Sequence, residues 1–103
     1  MSSAEVYDPR TGKFSAVTPL NQSRYKLPPE SVSLSPERLL IAGGSKLAEV
    51  YDSATGRFLV VAGEMSGPWH FMTETRLQDG QVLLAGGYAD SDQATAQTWL
   101  YRQ

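Results

Sequence analysis

The residues of this chain that could carry chemistry are few. It contains one histidine, His70, and no cysteine, so thiol nucleophiles, disulfides and cysteine-based metal sites are excluded. A lone histidine is more often a packed or surface residue than a general base. No serine and aspartate lie at a spacing that points to a catalytic triad with it. We therefore expect no catalytic residue and no cofactor.

Acidic residues form two small groups. Asp90 and Asp92, in the segment YADSDQ, have the spacing of carboxylates in calcium loops, but the rest of such a motif is missing. A solvated loop is the simpler interpretation, and we expect no metal site. Glu74 and Arg76 alternate along an extended segment, so they share a face and are expected to form a neighbouring ion pair.

Composition narrows the classes of partner. The hydrophobic fraction of 41% is ordinary for a globular protein. The net charge is −2 and Lys and Arg form no run, which argues against a nucleic-acid or anionic membrane surface. The apolar runs, such as 39–42 and 58–62, are too short to cross a bilayer, and the start MSSAEVYD lacks a signal-peptide pattern. We expect neither nucleic acid nor membrane as a partner, and the compartment stays open.

An internal repeat organises the chain. The stretch AEVYDPRTGKF at 4–14 recurs as AEVYDSATGRF at 48–58, with eight of eleven positions identical and an offset of 44. LLIAGG at 39–44 recurs as VLLAGG at 82–87, with an offset of 43. A weaker echo, AQTWLY at 96–101, aligns with AEVYDS. A period of this size is typical of repeat architectures in which each unit packs on its neighbours.

The repeat unit predicts strands and no helix. Its short apolar runs end in Gly-Gly and are typical of buried strands. The DPRTG and DSATG segments predict tight hairpins in which Gly12 and Gly56 adopt a left-handed conformation. Asp79-Gly80 predicts a two-residue turn. The corresponding Pro36-Glu37 predicts a different one.

Four strands per repeat, here a to d, follow from these signals. The predicted bounds are 31–35 and 70–77 for a, 38–43 and 81–86 for b, 4–8, 47–52 and 96–102 for c, and 13–18 and 57–61 for d. Four antiparallel strands in a repeat of this length form a β-propeller blade. We therefore expect an all-β chain, a single propeller segment over 1–103 of about two four-stranded antiparallel blades. One blade is complete (30–62) and two are partial (1–18 and 69–103).

The order of the repeated residues resembles the kelch repeat. The marks are Gly43-Gly44, Val50-Tyr51-Asp52, Thr55-Gly56-Arg57-Phe58 and Gly63-Glu64-Met65. They are similar above all to the bacterial kelch-like repeats related to the galactose-oxidase propeller domain. The Arg and His that those repeats often place in strand a correspond here to Trp69 and Met72, or to Lys26 and Pro29. Residues 18–30 match poorly, and the copper chemistry of galactose oxidase is not implied because the chain has no cysteine.

The repeated positions are interpreted as packing residues. Paired glycines allow strand b to approach a neighbouring blade, or to form a bulge, without a Cβ atom in the way. Large amphipathic rings are suited to fill the wedge between blades. The residues concerned are Gly43, Gly44, Gly86, Gly87, Gly12, Gly56, Tyr7, Tyr51 and Trp99, with Phe14 and Phe58 in support.

Ligand binding is expected on one rim. In a blade the d–a and b–c connections lie together, and here they are the longer ones, which is where scaffolds usually carry function. Exposed Trp and Tyr suit sugar rings and protein hot spots equally. The alternative is that Trp69 and Tyr25 cover the blade tops. The candidate ligand-binding residues are Trp69, His70, Tyr25, Arg24, Tyr88, Asp90 and Asp92.

The resulting interpretation is a non-catalytic interaction module that binds protein or carbohydrate on this rim. The alternative is a fragment of a larger, secreted kelch-like carbohydrate-active enzyme such as an oxidase, with its chemistry elsewhere. An autonomous small enzyme ranks last. Partial blades leave strand edges unpaired, so we expect a homo-oligomer that completes a ring of about six or eight blades, or a longer chain.

Overall fold

Nine short strands make up the fold. The computed structural model describes residues 2–24, 27, 31–89 and 93–102. The strands are β1 Glu5–Asp8, β2 Lys13–Ala16, β3 Val32–Ser35, β4 Arg38–Ile41, β5 Glu49–Asp52, β6 Arg57–Val60, β7 Thr73–Arg76, β8 Val82–Ala85 and β9 Thr98–Tyr101. No helix occurs in these described residues, and none of them forms a helix able to span a membrane.

The strands form three antiparallel sheets. Sheet one is β1-β2, sheet two is β3-β4-β5-β6 and sheet three is β7-β8-β9. Within each sheet, every strand pairs with its neighbour in sequence, as the alternating hairpin signals predict. The predicted all-β class is therefore confirmed, with the strands in the predicted order.

The repeated Asp–Thr–Gly segment forms the same hairpin twice. Asp8 and Asp52 each accept a hydrogen bond at Oδ1 from the backbone N–H two residues on, both at 2.9 Å. Gly12 and Gly56 close the loops by donating to the Asp carbonyls at 2.8 Å, with φ of 70° and 69°. The predicted left-handed glycines are confirmed. The Arg10 side chain, followed by its backbone N–H, also holds the pKa of Asp8 below its ordinary value.

The other two turns differ from each other, as expected. The two-residue loop, however, is the one at Pro36-Glu37. Ser35 pairs with Arg38, so Pro36-Glu37 is the two-residue loop. At the second turn Leu77 N–H donates to Gln81 O at 2.7 Å, which leaves a three-residue loop, 78–80. The predicted two-residue turn at Asp79-Gly80 is therefore wrong. Gly80 has a φ of 87° and supplies the left-handed residue that three-residue hairpins require.

The core lies between sheets two and three. Sheet two contributes Leu34, Leu40, Ala42 and Val50, and sheet three contributes Met72, Val82 and Leu84. Leu40 and Val82 are fully buried, and complete burial of such a side chain contributes about 2 kcal/mol. This interface is the main source of tertiary stability in the described chain.

The two sheets meet through opposite faces. In the aligned repeats Leu84 corresponds to Ile41, which is only half-buried, whereas Leu40 is the buried residue of β4. Neighbouring residues of a strand point to opposite faces. Sheet two therefore packs on sheet three through the face that contains Leu40. Sheet three packs through the opposite face of the repeat, which contains Leu84. Stacking in one direction is the arrangement of repeats that each contact the next.

Sheet one is poorly covered. Tyr7 and Phe14 pair across the hairpin with ring centroids 5.0 Å apart, but they remain 51% and 67% exposed. Their counterparts in sheet two, Tyr51 and Phe58, are half-buried and buried. The expectation that Tyr7 and Phe14 fill a wedge between blades stays a prediction, since no described strand covers their face in this chain. Trp99 does pack against the core between sheets two and three.

Candidate functional site

The rim predicted to bind ligand is held together by backbone hydrogen bonds between its loops. Gly44 N–H, in the loop after β4, donates to Trp69 O at 2.8 Å. His70 and Tyr88 exchange two backbone bonds, His70 N–H to Tyr88 O at 2.9 Å and Tyr88 N–H to His70 O at 3.2 Å. The segment leading into β7 is thereby tied both to sheet two and to the loop that follows β8.

An aromatic cluster stands on this rim. The His70 and Tyr88 rings lie edge to face with centroids 5.9 Å apart. The Phe71 ring lies 5.9 Å from Tyr88 on another side, at 36° to it. His70 is 1% exposed, whereas Phe71 is 51% exposed. Tyr88 thus connects a buried imidazole to an open phenyl ring.

Phe71 has a strained backbone. Its φ of 54° is left-handed, and no other described non-glycine residue has a positive φ. This conformation costs an L-residue about 1–2 kcal/mol, and such strain gathers at functional sites. It also interrupts the extended backbone, so β7 begins at Thr73 rather than at residue 70 as predicted. Sequence reasoning missed the place of Phe71 in the site, since no residue type signals the strain.

Gly87 allows the rim to close. A Cβ atom at this position would lie 2.9 Å from the His70 carbonyl oxygen and 3.1 Å from the Trp69 Cβ. The glycine has a φ of 95°, so any other residue would suffer both contact and strain. Of the Gly-Gly pair that follows β8, Gly87 therefore serves a close approach to the segment before β7, whereas no atom lies within 4 Å of a Cβ built on Gly86. The two predicted reasons for the paired glycines were a close approach to a neighbouring blade and a bulge.

Trp69 is held rather than free. It is half-buried and packs against the core. Its Nε1–H donates to Ser66 Oγ at 3.1 Å, and Ser66 Oγ donates to Gln97 Oε1 at 2.6 Å. This environment favours the alternative in which the indole covers the top of the sheets.

Arg24 lies in the interior instead of on the rim. Only 3% exposed, its guanidinium donates to Glu49 Oε2 through Nη2 at 2.8 Å and through Nε at 3.1 Å. It also donates to Gly43 O at 2.9 Å and to Leu47 O. The prediction of Arg24 as a ligand-binding residue conflicts with this burial, because its donors are already directed at partners within the chain.

Glu49 completes this buried network, and sequence reasoning missed it. It is fully buried, and its carboxylate also accepts the backbone N–H of Asn21 at 2.6 Å and of Gln22 at 3.3 Å. Removal of one partner of a buried ion pair with all these hydrogen bonds strongly destabilises the folded state, because the other charge stays buried without its partner. The network fastens the connection between sheets one and two onto β5. Glu49 lies in the repeated AEVYD segment, and its counterpart Glu5 is exposed, so the repeat carried no signal for it.

Glu74 is the second carboxylate at the sheet interface. It pairs in register with Leu84 and so faces the core. Both carboxylate oxygens are buried and lack a hydrogen-bond partner among the described residues, Arg76 included, so the predicted ion pair with Arg76 is wrong. Burial raises the pKa of Glu74 to about 8, and the nearby positive charge of Arg24 opposes that rise only in part. The carboxyl group is therefore mostly protonated at neutral pH.

The remaining predicted residues are Tyr25, Asp90 and Asp92, and they lie outside the described residues. Of the seven predicted site residues, Trp69, His70 and Tyr88 are brought together. Within the part of the chain that the structure describes, no three His, Asp or Glu side chains are grouped to hold a metal ion. What the site offers is an aromatic surface with one open ring.

No protein-family model matches the sequence, and no curated protein matches it.

Proposed function

We propose that this chain is a non-catalytic binding module built from kelch-like β-propeller blades. The kelch-type order of Gly-Gly, Tyr-Asp and Thr-Gly-x-Phe marks supports the assignment. Further support comes from the β3-β4-β5-β6 order of sheet two and from the stacking of sheets two and three through opposite faces. Both features agree with the construction of a propeller from four-stranded blades.

The ligand face in this proposal is the rim that carries Phe71 and Tyr88. One observation carries it: a strained residue holds its ring half exposed beside a second aromatic ring. Keeping a ring in this position costs backbone energy, and binding is the use that compensates for such a cost. The ligand class is a protein or a carbohydrate that presents an apolar face to the rings.

Binding is tested with two matched phenylalanine variants. Labelled wild-type protein, Phe71→Ala and Phe14→Ala are applied to a glycan array, and to candidate protein ligands if the array gives no signal. We expect Phe71→Ala to weaken binding about thirtyfold, the size of an interface hot spot. Phe14 is similarly exposed but lies on sheet one, so Phe14→Ala should bind as the wild type does. Equal binding by all three proteins would contradict the proposed face.

Stability measurements separate a binding role from a packing role. Phe71→Gly removes the ring and also relieves the left-handed strain, so its melting temperature should not fall. Loss of binding together with unchanged or raised stability supports the proposal. A variant that unfolds would identify Phe71 as a packing residue.

A further inference from the structure

The outer edge of sheet three is open. In sheet two β6 covers the edge of β5, but no described strand pairs with the corresponding edge of β9. A groove of about 360 Å³ lies there. Four consecutive residues, 99–102, line it, so the groove follows the strand edge rather than one face. Its opposite wall comes from sheet two and the loop after β6, with Ala48, Val61 and Met65.

Trp99 lacks the aromatic neighbour that its two counterparts have. Tyr7 pairs in register with Phe14, and Tyr51 pairs with Phe58 at 4.8 Å between ring centroids. Trp99 occupies the same position of the repeat and lines the groove, and among the described residues no ring pairs with it. The two complete hairpins therefore indicate what is missing beside β9: a strand with an aromatic side chain opposite Trp99.

The residue after Trp99 on β9 indicates a partner strand that differs from β2 and β6, the partners of β1 and β5. Asp8 lies opposite Lys13, and Asp52 lies opposite Arg57. On β9 this position is Leu100, which is 41% exposed, and Arg102 also lines the groove. A basic residue there would lie opposite an apolar side chain instead of the aspartate of sheets one and two, while the charged residues of the groove, Lys46, Glu64 and Arg102, are mixed in sign. The strand that fits carries an apolar residue opposite Leu100, which disfavours β2 or β6 of a second copy.

We propose that this groove binds one extended strand of another polypeptide, antiparallel to β9, with an aromatic residue opposite Trp99 and an apolar residue opposite Leu100. Main-chain hydrogen bonds to the free edge provide affinity, and the alternating side chains provide specificity, as in other cases of strand addition. The groove continues the core between sheets two and three, since Leu84 and Met65 belong to both. Its volume lies in the range of small-ligand sites, so it admits an aromatic side chain.

Synthetic peptides test the proposal on the whole chain. The first peptide comprises residues 54–62 with Arg57→Leu, which in the register of β5 and β6 places Phe58 opposite Trp99 and leucine opposite Leu100. Isothermal titration should show one peptide bound per chain, with a change in tryptophan fluorescence. A second peptide that also carries Phe58→Ser should bind at least about tenfold more weakly, because the buried aromatic surface is lost. The peptide that retains Arg57 should also bind more weakly than the first.

Backbone pairing has its own test. A version of the first peptide N-methylated at alternate residues keeps the side chains but loses the donors that face β9, so it should not bind. In the protein, Leu100→Lys should weaken the first peptide about tenfold. Leu77→Lys, a matched exposed leucine outside the groove, should not.

Several results would overturn the proposal. They are absence of saturable binding by the first peptide, equal affinity of the Phe58→Ser or N-methylated peptide, and equal effects of the two lysine variants. Self-association of the chain that the first peptide displaces would also overturn it, because a second copy would then be the occupant.

Discussion

At the scale of single residues, the ionisable groups of Arg24, Glu49 and Glu74 are buried near the sheet interface, but their surroundings differ. Arg24 and Glu49 satisfy each other and the surrounding backbone. Neither carboxylate oxygen of Glu74 has a hydrogen-bond partner in the described part of the chain, and burial raises its pKa to about 8. Its ordinary value is 4.5. Between these two values the folded state keeps a proton that the unfolded state has released, so stability falls as the pH rises through this window.

Glu74→Gln is predicted to remove this pH dependence. The neutral amide needs no proton, so the variant should be more stable than the wild type at pH 7 by roughly 1 kcal/mol, reduced by partial solvent access. The difference should shrink toward pH 4.5 and stay level above pH 8. Chemical denaturation across this range measures it, with the exposed Glu37→Gln as control. A wild-type stability that rises between pH 5 and 8 while Glu74→Gln follows it would refute the assignment.

Elements in this chain are defined chiefly by their turns. Both hairpins between a c-type and a d-type strand use an Asp side chain at the start and a left-handed glycine at the end. No atom lies within 4 Å of a Cβ built on Gly56. Replacement of this glycine therefore perturbs the backbone conformation alone, which makes it a clean measure of the turn.

Gly56→Ala is predicted to destabilise the protein by roughly 1 kcal/mol. Gly56→Asn should cost less, because asparagine tolerates the left-handed region. Gly67→Ala is the matched control: its φ is not in that region, and the added Cβ would make only an ordinary contact of 3.6 Å with Trp69. Thermal melts of the three variants rank them, and an unchanged melt for Gly56→Ala would show that the turn does not limit stability.

At the scale of the whole molecule, the main feature is a set of sheet edges that no described strand covers. β1 and β9 each have an edge that pairs with no described strand, and Tyr7 and Phe14 of sheet one are exposed together on one face. Proteins normally cover such edges and patches, since they favour pairing with other chains. A homo-oligomer that completes a ring of about six or eight blades, and a longer chain or partner that supplies the missing strands, are both consistent with this pattern.

We predict that the chain alone does not persist as a monomer. Sedimentation velocity at micromolar concentration should show species larger than the 11.3 kDa monomer. Tyr7→Lys places a charge on the exposed aromatic face of sheet one and should shift the distribution toward monomer, whereas Leu77→Lys should leave it unchanged. A compact wild-type monomer with one sharp thermal transition would contradict the prediction and show that the described sheets suffice alone.

The sequence by itself determined the strands, most of the turns and the all-β class. The signals for these are local: Asp8 and Gly12 are four residues apart, and the apolar runs before each Gly-Gly pair identify buried strands without knowledge of the partner. Even the exception is local in kind. At Asp79-Gly80 the turn was placed correctly, and only its length differed, because Gln81 pairs with Leu77 rather than with Gln78 and the loop gains one residue.

Only the tertiary structure decided which of the polar and aromatic residues are buried, which are paired and which are exposed. Arg24 binds Glu49, which lies 25 positions away in the chain. Glu74 faces the core because sheet three packs on sheet two through the face that contains Glu74 and Leu84. Phe71 turns outward through a left-handed backbone that its residue type disfavours. Burial, charge pairing and strain are properties of surroundings that distant segments build, so a local pattern cannot encode them.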